Sequence, residues 1–343
     1  MITQDLMILI GGCFISALTF LIILVMLKVL KKETLLGFSI FTQLGDEQKR
    51  KPSASLDLNS QSSNGSSVNM RSCLSPECIR CSKNIEVLKT ALTRLSYCAE
   101  NDTSIKNDIE NLSLDLRKSL NSLKSSKDVS QKIGTEMKDI KISTPIVFKM
   151  SGLREEELWS ENEFPALHIL DYYFKDIYRE FFNLYENHKS PISWKTNTTA
   201  AGKWEIAQLI DQGRVSKALD LCPKTSEALK KIPYFMEDNI FGGASFSVVH
   251  PGTDIATHCG SSNCRIRCHL GLKVPKNECF LVVGDKTCHW EERKVICFND
   301  AFPHSVHHSG PDDSGIRAVF MFDIWHPDIT ESQKKLLNFT FST

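Results

Sequence analysis

The period of the apolar positions changes along this chain, and each change marks an element. From Met7 to Leu27 no charged residue interrupts a run of Ile, Leu, Val, Met and Phe. At 1.5 Å of rise per residue, such a helix crosses a hydrocarbon core of roughly 30 Å. Residues 1–30 are therefore predicted to be a transmembrane anchor. No basic stretch precedes the run and no Ala-x-Ala site ends it, which argues against a cleaved signal peptide. Residues 31–81 are expected to be a disordered linker, rich in Ser and Asn between Pro52 and Val68, with Cys73, Cys78 and Cys81 at its end. Three closely spaced cysteines could bind a metal if Cys98 were the fourth ligand, or could form disulfides or carry palmitate close to the membrane.

From residue 82 the pattern turns helical. Ile85, Leu88, Leu92, Leu95 and Ala99 repeat at 3-4 spacing, and Ile105, Ile109, Leu112 and Leu116 resume it after a phase slip near Asn101–Ser104. Ile133, Met137 and Ile140 add a short third stretch. This predicts a coiled-coil stalk over 82–143, through which the chain could self-associate, or a helical hairpin packed on its own domain. Thr144-Pro145 ends the helical pattern, and a globular domain is expected over 144–333. It opens with an amphipathic helix in LHILDYYFKDIYREFFNLYE. Short strands then dominate: ASFSVV at 244–249, RIRCHLGL at 265–272, FLVV at 280–283 before a Gly284-Asp285 turn, VICF at 295–298 and RAVFMFDIW at 317–325. Many short strands with turn signals predict a mainly β domain, a sandwich or barrel such as a jelly roll, with flanking helices.

Composition narrows the function. Lys+Arg and Asp+Glu are both 41 in 343 residues, and no basic stripe is present, so nucleic acid is not an expected partner. The 12 cysteines are not spaced as a small disulfide scaffold. Two signals for membrane orientation oppose each other. Lys28, Lys31 and Lys32 follow the apolar run, which favours a cytosolic bulk. Asn-x-Ser/Thr sequons at Asn64, Asn101, Asn111, Asn197 and Asn338 suit a glycoprotein in the secretory lumen. The expectation carried forward is a single-pass membrane protein of the endoplasmic reticulum or secretory pathway with a lumenal domain.

The candidate chemistry lies among the strands. Alternation along 265–272 puts Arg265, Arg267 and His269 on one face and Ile266, Cys268, Leu270 and Leu272 on the other. Cationic groups turned into a sandwich are costly to bury unpaired, so an anion is expected inside, one that guanidinium can grip in bidentate fashion. His258, a second histidine and Arg317 follow in the order an iron and 2-oxoglutarate oxygenase needs: two imidazoles for Fe(II), then a guanidinium for a co-substrate carboxylate. Spacing leaves the second histidine open among His304, His307 and His308. The carboxylate that usually follows the first ligand by two residues is absent, since the chain reads His258-Cys259-Gly260.

The segments HPGTDIATHCGSSNCRIRCHLGLKVP (250–275), CFNDAFPHSVHHSG (297–310) and RAVFMFDIWHPDIT (317–330), with GKWEIAQLIDQG (202–213) upstream, closely resemble the aspartyl/asparaginyl β-hydroxylase family. The resemblance implies a double-stranded β-helix that uses Fe(II), 2-oxoglutarate and O₂ to hydroxylate Asp- or Asn-type residues of a protein substrate. It assigns His258 and His304 as iron ligands, His304 by an Asp-x-Phe-x-His pattern. It assigns Arg317 and Ser247 to the distal carboxylate of 2-oxoglutarate, and Arg267, His269 and Trp204 to the co-substrate side of the pocket. It also makes Gly260 the family's normal occupant of the third-ligand position, with water implied in place of a carboxylate. His307, closer to Arg317, remains a rival ligand, and alternation turns Cys259 away from the metal. Loss of activity is the opposing expectation: a non-catalytic binding or scaffold protein that has kept the pocket.

Overall fold

The computed structural model describes residues 78–79, 82–101, 105–125, 142–186, 192–197, 199–276 and 278–343. The expected transmembrane anchor, the linker up to residue 77, Cys73, Cys81, the sequon at Asn64 and the short helical stretch at Ile133, Met137 and Ile140 lie outside them. No helix among the described residues is long and apolar enough to cross a membrane.

Two antiparallel sheets form the centre. The larger combines β1 (Leu158–Trp159), β2 (Lys195–Asn197), β3 (Trp204–Asp211), β4 (Arg214–Val215), β5 (Ala244–Val249), β7 (Arg265–Lys273), β10 (Val295–Phe298) and β12 (Arg317–Trp325). Its order is β1-β10-β7-β12-β5-β3-β2, with β4 paired to β3. The smaller sheet is β6-β11-β8-β9, from β6 (Asp254–His258), β8 (Cys279–Val283), β9 (Lys286–His289) and β11 (His304–His308). From β5 to β12 the chain passes back and forth between the sheets, with only the β8–β9 hairpin staying in one, the jelly-roll arrangement expected from the many short strands. Gly284, at φ 58°, turns β8 into β9 with the geometry glycine adopts at no steric cost.

The period-2 pattern sorts the large sheet's faces as the sequence suggests. Ile266, Cys268, Leu270 and Leu272 pack with Phe246, Phe320 and Phe322 on the outer face. Against them lies a helix, Ile169–Glu186, the amphipathic segment expected from the sequence. It buries Leu170, Tyr173, Ile177, Phe181 and Leu184. The inner face meets the small sheet around Val249, Leu281, Val283, Phe298, Phe302 and Val319.

The helical segment before the domain forms α1 (Asn84–Asn101) and α2 (Lys106–Ser125), divided where the apolar phase slips. These helices are not a free-standing stalk. Leu88, Ala91, Leu95, Ile109, Leu112 and Leu116 share one core with Phe148, Phe241, Trp325, Leu336, Leu337 and Phe341. The helical repeat is an amphipathic stripe spent on the chain's own domain, the hairpin alternative to a coiled coil. The last of these partners lie on a C-terminal helix, Glu331–Thr340, started by a capping box at Thr330 and Gln333. The domain end expected near 333 therefore falls inside a packed helix.

Candidate active site

β6 ends at His258 and β11 begins at His304, and the two are direct cross-strand partners. Their ring centroids are 4.2 Å apart. Both rings are oriented alike: Nδ1 lies 2.9 Å from the carbonyl two residues earlier, Ala256 for His258 and Phe302 for His304. A carbonyl only accepts, so Nδ1 carries a hydrogen, and in the neutral ring Nε2 then carries the lone pair. Divalent metals take neutral imidazoles in this state, with the second nitrogen fixed by a backbone acceptor.

No group of three or more His, Cys, Asp or Glu among the described residues is placed to hold a metal. The reason is visible at Gly260, where a Cβ would collide with the Asp300 carboxylate. Asp300 cannot yield. It is fully buried, with Arg265 Nη2 at 2.5 Å and Arg267 Nη1 at 3.1 Å from Oδ2. A side-chain ligand two residues after His258 has no room.

Asp300 belongs to a closed group of four charges. Arg267 makes a two-pronged contact with Asp323, Nε to Oδ1 at 2.9 Å and Nη2 to Oδ2 at 3.1 Å. Arg265 reaches Asp323 at 3.3 Å through Nη1 and also donates to the Phe241 carbonyl. Burial alone would raise the Asp300 pKa, but Arg265 and Arg267 outweigh it and hold it well below the carboxylate range. Burial likewise opposes the charge on Arg267, and Asp323 and Asp300 overcome it. The two arginines of β7 therefore do not call for an outside anion, as alternation suggested: Asp300 and Asp323 supply it.

Arg317 is different. It is 1% exposed, and its Nε and Nη1 have no hydrogen-bond partner among the described residues. Burial pulls its pKa down to about 10, with Cys279 opposing, which leaves it charged at neutral pH. Its guanidinium carbon sits 4.5 Å from the centre of the Trp290 ring. His269 is also buried, and its Nε2 has no partner among the described residues. Burial, then Arg317, Arg267 and His304, push its pKa well below the ordinary histidine value, so the ring is neutral. Trp290 Nε1 donates to His269 Nδ1 at 3.3 Å.

Cross-strand register places the remaining residues. Trp204, Val249 and Arg317 form one row across β3, β5 and β12, and Ser247 lies in the next row opposite Val319. Trp204 Nε1 donates to Ser247 Oγ at 3.0 Å. The same face carries Met321 opposite His269 and Asp323 opposite Arg267. The seven residues singled out from the sequence thus lie on the facing strands of one sandwich. His307 does not join them. It pairs with Asp254 at 2.9 Å, contacts Ser305 Oγ at 2.8 Å and stacks on Phe280, all on the small sheet's other face. His308 holds the Gly315 carbonyl at 2.9 Å, pinning the loop that leads to Arg317. Cys259 lies 3.4 Å from Thr144 Oγ1.

Sequence reasoning gave no role to Asp300, Asp323 or Trp290, although Asp300 opens the Asp-x-Phe-x-His pattern. Asp323 was within reach, because alternation along 317–325 sets it on the Arg317 face. Asp300 and Trp290 sit in connections, where no period marks them.

A family model described as aspartyl/asparaginyl beta-hydroxylase matches residues 172–327, a span that includes all seven residues. The human aspartate beta-hydroxylase domain-containing protein 2 is 34% identical over 276 residues, covering 79% of this chain and 70% of that one. The chain belongs to the aspartyl/asparaginyl β-hydroxylase family. Its Xenopus tropicalis relative of the same description is 31% identical over 308 residues, covering 88% of this chain and 79% of that protein. Human aspartyl/asparaginyl beta-hydroxylase is 39% identical over 142 residues, but those cover only 41% of this chain and 18% of the hydroxylase. The match thus spans more of these two domain-containing proteins than of the hydroxylase.

Proposed function

We propose that this protein is an Fe(II)- and 2-oxoglutarate-dependent dioxygenase that hydroxylates Asp- or Asn-type residues of a protein substrate. The observation that carries the reading is Arg317: a buried cation with two unpaired N–H groups, beside a neutral His269 with a third unpaired nitrogen. Native proteins rarely leave such groups unmatched, and an unpaired buried charge is costly. A carboxylate with its two oxygens suits the place. The donor set also fits the metal. His258 and His304 would hold Fe(II) through their Nε2 atoms, each ring oriented by a backbone carbonyl. Iron, when bound, supplies oxidation of a substrate C–H bond coupled to decarboxylation of 2-oxoglutarate by O₂.

The chain's own part is placement. Arg317 and Ser247 would take the distal carboxylate, while Trp204, held to Ser247, walls that side. Arg267 keeps its charge matched by Asp300 and Asp323, so it lines the pocket as a neutralised group and contributes direction more than net attraction. Val249, Leu281, Phe298 and Val319 form the apolar floor that excludes water.

The membrane anchor over residues 1–30 and a lumenal domain complete the proposal. Of the sequons, Asn111 is exposed on α2, whereas Asn338 Oδ1 accepts from buried Asn239 at 3.1 Å. Glycosidase sensitivity lost in Asn111→Gln would support the lumenal side. For catalysis, anaerobic Fe(II) and 2-oxoglutarate should give a visible charge-transfer band, and in air succinate should form. If neither is seen with metal bound, the protein is a binding or scaffold protein and not an oxygenase.

A further inference from the structure

The unpaired atoms at the deep end of the site are Arg317 Nε, Arg317 Nη1 and His269 Nε2. Whether they act as one ligand-binding set depends on where His269 carries its hydrogen. Trp290 decides this. An indole N–H donates and never accepts, and it lies 3.3 Å from His269 Nδ1. Nδ1 must therefore be the accepting nitrogen, and a neutral ring that accepts at Nδ1 carries its hydrogen at Nε2. All three unpaired atoms are then donors.

The same indole touches the other member of the set. Its ring face carries the Arg317 guanidinium at 4.5 Å, and it runs nearly parallel to the His269 ring, 6.0 Å away at 19°. Trp290 is itself held in the core between the sheets with Val249, Leu281 and Phe298. His269 meets Phe298 edge-on at 5.0 Å, which limits rotation on its other side.

We infer that Trp290 is a positioning residue for the co-substrate: its N–H sets His269 as an Nε2 donor and its ring face seats Arg317, so the three unpaired atoms at this end of the pocket are all N–H donors. The inference rests on the oxygenase reading for the identity of the ligand, while the hydrogen placement on His269 stands by itself. Three adjacent donors also set specificity. A distal carboxylate satisfies them, whereas a distal amide turns an N–H against an N–H. The site should therefore discriminate 2-oxoglutarate from its ω-amide, the analogue with the distal carboxylate replaced by a carboxamide.

The test uses the 343-residue chain with ¹⁵N-labelled histidine, metal-free for the tautomer measurement and with Mn(II) in place of iron for binding. In the unsubstituted protein, His269 should show a single tautomer protonated at Nε2, and 2-oxoglutarate should bind in preference to the ω-amide. Trp290→Phe keeps an aromatic face and removes the N–H. It should mix the two His269 tautomers, raise the Kd for 2-oxoglutarate about tenfold and narrow the preference over the amide. A His269 protonated at Nδ1 in the unsubstituted protein overturns the inference, even if the variant fails to fold. So does a Trp290→Phe protein with unchanged tautomer and Kd. Absence of 2-oxoglutarate binding by the unsubstituted, Mn(II)-loaded protein overturns the oxygenase reading itself, a separate result from either of these.

Discussion

Two sets of buried guanidinium groups face the same interior and live under opposite terms. Arg265 and Arg267 stand on β7 with every charge answered by Asp300 and Asp323. Arg317 stands on β12, more deeply buried than either, with an aromatic face beneath it and Nε and Nη1 unpaired among the described residues. The first set is a structural joint between β7, β12 and the connection that leads to His304. The second, on the proposed function, would be a binding group whose partner arrives from outside. Burial and residue type alone do not separate them; what separates them is whether the chain has spent a carboxylate nearby.

The sharpest way to break this contrast is to remove a partner from the closed set. Asp300→Ala would leave Arg265 and Arg267 sharing Asp323 in a dry interior. Breaking a buried ion pair from one side costs about 3–5 kcal/mol, and this should appear as a large drop in the urea midpoint of the metal-free protein. A loss under about 1 kcal/mol would mean that water reaches the group and that it is not a joint.

Arg317→Met should do the reverse. Without ligand, Arg317 is a desolvated cation with no ion-pair partner among the described residues, so replacing it with an apolar chain of similar length should stabilise the metal-free protein by about 1–3 kcal/mol. 2-Oxoglutarate binding should be lost in the same variant. Destabilisation on removing Arg317 would place it with Arg265 as a structural group, and the comparison would collapse.

The difference between the sets was only half legible in the sequence. Alternation along 265–272 gave the cationic face and the apolar face as they are, because period 2 is a local property of a strand. It could not say what stood opposite. Asp300 lies in the connection after β10, and its contact with Gly260 joins segments 40 residues apart in number (260 to 300). Such pairing is set by topology, which no local period encodes. The same limit explains the hairpin: the 3-4 spacing of Leu88, Leu95, Leu112 and Leu116 announced a buried stripe. It did not say whether another chain or Phe241 and Leu337 would cover it. The histidines became legible through motif resemblance, and only their placement on paired strands shows why His304 rather than His307 faces His258.

Acid sharpens the contrast further. His269 and His326 are buried, and burial lowers both pKa values from the ordinary value of about 6.5. Below that pH the unfolded chain takes up protons that the folded rings refuse, so folded stability falls as pH drops. The slope is at most about 1.4 kcal/mol per pH unit for each ring. Asp300 follows a different window. Its folded pKa is depressed, so its stabilisation is present above about pH 4 and is lost as pH falls through the carboxylate range and below. Urea midpoints measured from pH 7.5 down should therefore begin to decline near pH 6.5, well before the arginine–aspartate group is touched. A flat profile to about pH 5 would show that neither ring is desolvated in solution.

The smallest expected effect concerns the rival histidine. His307 has the sequence position of a ligand and none of the surroundings. Its side chain is 30% exposed, its Nδ1 is engaged by a half-exposed Asp254, and its ring lies against Phe280 on the face away from the core. Exposed pairs of this kind contribute roughly 0–1 kcal/mol. His307→Ala should accordingly shift stability by less than about 0.5 kcal/mol and leave metal uptake and 2-oxoglutarate affinity as they were. His304→Ala, on the strand position facing His258, should abolish metal uptake. Loss of metal uptake in His307→Ala, with His304→Ala unaffected, would mean that β11 pairs with β6 one residue out of the register described here. A one-residue slip exchanges the two faces of a strand. His307 would then be the inward ligand.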